Sequence, residues 1–212
     1  MKDYSNYHDI DVKAKIEHDG NLIFDNALNG VSGTDILIND VPTRGVITTK
    51  FNSDDGQIKY IMGRKEELFR GSVVDYQGLK WIVTSIPHFN GVYKKAEITI
   101  CNNTITLLTQ ECTVVGQNDF GEDIIVCNPS EITPLPCIVE RSTVTSNSES
   151  AINLPEGKAN VTIPFTINDS IKIGETIDLY AEKYEIQDID YTKSLGETGL
   201  MILNVEKKVG ES

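Results

Sequence analysis

Apolar and polar residues alternate along much of the chain. Ile10, Val12, Ala14 and Ile16 alternate with Asp11, Lys13, Lys15 and Glu17, the two-residue period of a strand with one buried face. His18-Asp19-Gly20-Asn21 follows, and Leu22 and Phe24 resume the alternation, so the stretch predicts an N-terminal hairpin turning at Asp-Gly. Further strands are predicted at 34–39, 45–51, 57–62, 72–76, 80–86, 96–101 and 104–109. They are separated by turn residues such as Asp40-Val41-Pro42, Asp54-Asp55-Gly56, Gln77-Gly78, Asn90-Gly91 and Asn102-Asn103. One or two helical turns fit 63–69, and no longer helical window stands out. The pattern predicts an all-β protein.

The strands recur. At an offset of 103 residues, GSVVDYQGLKWIVTSI (71–86) aligns without a gap on GETIDLYAEKYEIQDI (174–189). Gly71 meets Gly174, Asp75 meets Asp178, Trp81 meets Tyr184 and Val83 meets Ile186. The unit reads as a hairpin in which a glycine opens a strand, a turn follows the Asp, and an aromatic-led strand returns. Trp81 and Val83 share one face, and so do Tyr184 and Ile186; Trp81 is expected to anchor a core. At a shorter offset, ILIN (36–39) aligns on IVCN (125–128) and VPTRGVIT on TPLPCIVE. The repeat predicts two tandem small β-barrels or sandwiches with long loops. The first module, 1–110, would begin with the hairpin; the second, 111–212, would carry an inserted polar loop near 141–158. The join would fall near 109–120.

Composition narrows the chemistry. The chain has 212 residues, 39% of them hydrophobic and 24% charged, with 32 acidic against 19 basic side chains and a formal net charge of −13. That excess argues against clamping nucleic-acid phosphates, which needs a basic stripe. No run approaches the ~20 apolar residues of a membrane span, and the N-terminus lacks the apolar core expected of a secretion signal. Cys101, Cys112, Cys127 and Cys137 form no C-x-x-C pair and have no histidine beside them, so reduced structural thiols are expected and a zinc site is not. Asp119-Phe120-Gly121 lacks the motifs that would make it a kinase element. Asp188 and Asp190 share a strand face and read as a solvated strand end. No catalytic, cofactor or metal residues emerge. The loop 87–95 displays Phe89, Val92 and Tyr93 beside Lys94 and Lys95; it suits either a partner contact or packing onto its own barrel.

The stretch KYIMG…FRGSVVDYQGLKWIVTSIP (59–87) resembles small β-barrel proteins of the tailed-phage neck and tail: head-completion (stopper), adaptor and tail-joining proteins. The resemblance extends to 174–189, and the duplication departs from the single barrel common there. It implies a non-enzymatic virion structural protein, assembled in the host cytoplasm, that forms a homo-oligomeric ring joining head and tail. Its partners would be copies of itself and adjacent neck or tail proteins, with no membrane and no cofactor. DNA would pass through without specific binding, and an acidic wall suits that passage. The alternative is a tandem β receptor- or carbohydrate-binding module at a tail tip or baseplate.

Overall fold

The computed structural model describes residues 11–50, 56–109, 112–118, 120–121, 123–127, 131–141 and 157–208. Two compact units divide the chain, Met1–Ile100 and Cys101–Ser212. The first opens with a helix, α1 (Val12–Asn29), where the alternation predicted a hairpin. The Asp11 side chain caps it by accepting the Lys13 N–H at 2.9 Å. Val12 and Ile16, two steps apart in a strand pattern, are also four residues apart on one helix face, and both are exposed. The docked face is instead Gly20, Phe24 and Leu28, at i, i+4, i+8, with Phe24 and Leu28 buried. Asp19-Gly20 is therefore no turn. A Cβ at Gly20 would sit 2.6 Å from Val92 Cγ2, so a side chain there would force Val92 to shift.

Seven strands follow: β1 (Thr34–Ile38), β2 (Val41–Thr49), β3 (Ile58–Gly63), β4 (Val73–Tyr76), β5 (Leu79–Val83), β6 (His88–Phe89) and β7 (Lys94–Ile100). They pair antiparallel in the order β3-β2-β1-β4-β5-β7, and β3 also pairs with β7, closing a six-stranded barrel. Ile61, Val74, Trp81, Val83 and Ile98 fill it, with Trp81 only 2% exposed. The stretch 63–69 makes turns rather than a helix, and drops Leu68 into the same core.

The second unit holds β8 (Asn103–Thr109), β9 (Cys112–Gln117), β10 (Asp123–Cys127), β11 (Glu131–Arg141), β12 (Lys158–Pro164), β13 (Thr176–Leu179), β14 (Glu182–Asp190), β15 (Ser194–Leu195) and β16 (Thr198–Lys207). The sheet runs β13-β14-β16-β12-β11-β8 around a core that includes Ile105, Val161, Ile163, Ile186 and Leu203. It is one ladder short of closure. Between β8 and β13 the Ser170 hydroxyl accepts the Leu108 N–H (3.2 Å) and donates to the Leu108 carbonyl (3.1 Å), standing in for a neighbouring peptide.

The two barrels have the same topology. Matching β1, β2, β3, β4, β5 and β7 with β8, β11, β12, β13, β14 and β16 reproduces the cyclic strand order. The repeated hairpin superposes hydrogen bond for hydrogen bond. Gly71 N–H donates to Val83 and Val83 to Ser72, while Gly174 donates to Ile186 and Ile186 to Glu175, all at 2.8–2.9 Å. Asp75 faces Lys80 across the ladder and pairs with it at 3.0 Å; Asp178 faces Lys183. Both turns place two residues at positive φ, Gln77-Gly78 (55° and 74°) and Tyr180-Ala181 (52° and 64°), as the two-residue type I′ turn demands.

Three expectations need correction. The units part at Ile100/Cys101, not at 110/111, because β8 pairs with β11 inside the second sheet. The counterpart of β1 is β8, so aligning 36–39 on 125–128 was misplaced. The expected join near 109–120 is instead part of a hairpin arm. In the first barrel β1 and β2 meet in a tight turn at Asn39-Asp40. In the second, the chain between the equivalent strands β8 and β11 contains the two-stranded ribbon β9–β10, which has a bulge at Ile124/Ile125. The predicted polar insertion at 141–158 lies outside the described residues except at its ends.

Candidate interaction surface

The loop 87–95 is a small hairpin within the first barrel, since His88 and Phe89 pair with Lys95 and Lys94. Asn90 builds its turn by accepting the Val92 and Tyr93 N–H groups with Oδ1, each at 3.0 Å, while Gly91 takes φ 98°. This turn aims Val92 and Tyr93 at α1. Val92 lies against Gly20, and the Tyr93 ring stacks on Phe24 with centroids 4.9 Å apart. These two residues hold the helix to the barrel.

The rest of the group faces outward. Phe89 is 41% exposed, with Lys65 Nζ 5.4 Å above its ring. Its ladder partner Lys94 donates to the Leu68 carbonyl at 2.9 Å and lies 4.3 Å over Phe69, itself 48% exposed. Lys95 lies 4.2 Å over Tyr60. The stretch 64–70 is pinned at both ends: Arg64 pairs with Asp25 of α1 (2.9 Å), and Arg70 Nε donates to the Thr84 carbonyl (3.1 Å). The result is a firm surface of two exposed aromatic rings with lysines laid across them. It borders a groove of about 270 Å³ whose lining mixes Ile38, Val41, Pro42 and Phe69 with Asn39, Thr43, Glu66 and Glu67. The sequence missed Lys65 and Phe69, which only the fold brings to Phe89 and Lys94.

The hairpin residues Gly71, Asp75 and Trp81, with Gly174, Asp178 and Tyr184, build the barrels. The groups displaced from their ordinary ionisation lie elsewhere. A hydrogen bond to Glu97 holds Lys50 above the usual lysine value, and the Thr192 N–H lowers Asp190. Burial pushes the Cys137 thiol up to about 12. Asp188 and Asp190 do not act together: Asp188 accepts from Asn204 and Asp190 from Thr192. Among the described residues no group of three His, Cys, Asp or Glu side chains could hold a metal ion, and no helix is long and apolar enough to cross a membrane. Charge is uneven. Residues 1–100 carry 12 basic and 14 acidic side chains, residues 101–212 carry 7 and 18.

Residues 44–206 match the model of the YomX C-terminal domain. The chain belongs to the YomX family. The match starts within β2 and ends in β16, so the family domain takes in most of both barrels and leaves out α1. A full-length relative is the SPbeta prophage-derived uncharacterized protein YomX of Bacillus subtilis (strain 168), 41% identical over 214 residues that cover all of this chain and 99% of the relative. No solved structure matches the chain.

Proposed function

We propose that this protein is a non-enzymatic structural component of a tailed-phage particle, working as a homo-oligomeric ring in the neck or tail that joins head and tail around the DNA path. The observation that carries the reading is the end-to-end match to a prophage-derived protein. The architecture supports it. Two barrels of one topology, the first with anchored aromatic rings and lysines on its outside, offer protein-docking surfaces. A net charge of −13 suits a wall past which DNA slides without binding. Assembly takes place in the host cytoplasm, and the finished protein resides in the virion beside other neck or tail proteins. The test is to purify particles from a phage that encodes this chain and to quantify it by mass spectrometry. A fixed multiple per particle, and unjoined heads and tails when its reading frame is interrupted, are expected. Absence from particles, or normal particles without it, overturns the proposal.

A further inference from the structure

The ribbon β9–β10 hydrogen-bonds to no third strand among the described residues. A lone two-stranded ribbon is at best marginally stable in water, and both its edges offer unpaired peptide groups. Its side chains deepen the anomaly. Val114, 59% exposed, pairs with Ile125, while the exposed Ile124 and Val126 flank Ile125 on its strand and so point to the other face; Val115, also 59% exposed, is the extra residue at the bulge, and Phe120 near the tip is 91% exposed. Apolar surface on two faces of an otherwise unpaired ribbon is the mark of an interaction site. The arm has one sign of charge: residues 110–130, between β8 and β11, include four acidic side chains and no Lys or Arg. The same chain carries the complement on its first barrel, where Phe69 and Phe89 lie exposed under Lys94 and Lys65.

We infer that the ribbon of one copy docks on the Phe69–Phe89–Lys65–Lys94 face of a second copy, its valines and Phe120 against the two rings, its carboxylates toward the lysines. The inference rests on the ring reading and names the two patches that make it. Donor and acceptor are different surfaces, so each copy can give its arm to one neighbour and receive the arm of another. Such head-to-tail contacts generate a ring when the rotation closes.

Sedimentation of the full chain tests this. The wild type should exceed the 23.5 kDa monomer mass in a concentration-dependent way. A ribbon variant (Val114→Ser, Phe120→Ser, Ile124→Ser) and a face variant (Lys65→Glu, Phe89→Ser) should each associate at least ~100-fold more weakly, given buried aromatic anchors of this kind. Mixed together, the two variants should form a one-to-one dimer, because one intact arm and one intact face remain. That dimer also shows that both variants keep their folds; circular dichroism and Trp81 fluorescence check each alone. A wild type that stays monomeric up to about 1 mM, where even a millimolar contact is half occupied, overturns the inference. So does a ribbon variant that associates like wild type, or folded variants that form no dimer on mixing. The ring reading fails separately, through absence of the protein from particles.

Discussion

The duplicated hairpin contains its own control on backbone strain. Its two turns adopt one conformation, yet the second central position is Gly78 in the first barrel (φ 74°) and Ala181 in the second (φ 64°). A Cβ built on Gly78 meets nothing within 4 Å, so Gly78→Ala adds no clash and isolates the cost of the left-handed backbone. That cost is about 1–2 kcal/mol for an L-residue. The narrower unfolded ensemble of alanine returns about 0.4–1 kcal/mol, leaving a net destabilisation of about 1 kcal/mol. Trp81, the single tryptophan of the chain, faces Val74 on the same ladder, so its fluorescence reports this barrel. With a urea dependence of about 1–3 kcal/mol per M, the midpoint should fall by about 0.3–1 M. Ala181→Gly should do the reverse in the second barrel, raising the transition followed by circular dichroism. An unchanged or raised Trp81 midpoint in Gly78→Ala would refute the argument. So would two substitutions that shift stability in the same direction, since φ would then not govern either turn.

Two further expectations concern the second barrel. Cys137 is fully buried and its thiol is held neutral up to a pH of about 12, so at pH 8 a thiol reagent should modify the half-buried Cys101 and spare Cys137 until denaturant is added; native modification of Cys137, read by peptide mass spectrometry, would contradict its placement. Ser170→Ala removes both hydrogen bonds across the β8–β13 seam at an exposed site where water replaces part of the loss, so about 1 kcal/mol is expected. Amides of 103–109 should then exchange faster with deuterium; unchanged protection would mean that the seam is held by other contacts.

The barrels were legible because strand alternation and turn chemistry are local. Gln77-Gly78 and the 103-residue offset located two hairpins that the structure superposes, hydrogen bond for hydrogen bond. The helix was not legible for an equally local reason. From Val12 to Ile16 the two-residue and the helical periods coincide, and the deciding spacing, Gly20-Phe24-Leu28, spans a pair of residues, Asp19-Gly20, that signals a turn. Only the distant Val92 and Tyr93 explain why a glycine and a phenylalanine stand there. The outward face was half legible: Phe89 and Lys94 are near neighbours in sequence, but Lys65 and Phe69 reach them through the fold of 64–70. The arm was hidden because its strands have the same apolar content as those of the barrels, so its residues look like one more pair of barrel strands.

The ribbon is a ruler with coarse graduations. Because β9 and β10 pair only with each other among the described residues, length can be added or removed at the tip without removing a pairing from the barrel. Pleating restricts the steps. Removing one residue from each strand keeps the pairing but carries everything beyond the cut to the opposite face, whereas removing two from each restores the original faces. Reach therefore changes in increments of about 7 Å, two residues of strand rise. Relatives that differ in arm length while keeping its faces should differ by four residues or multiples of four.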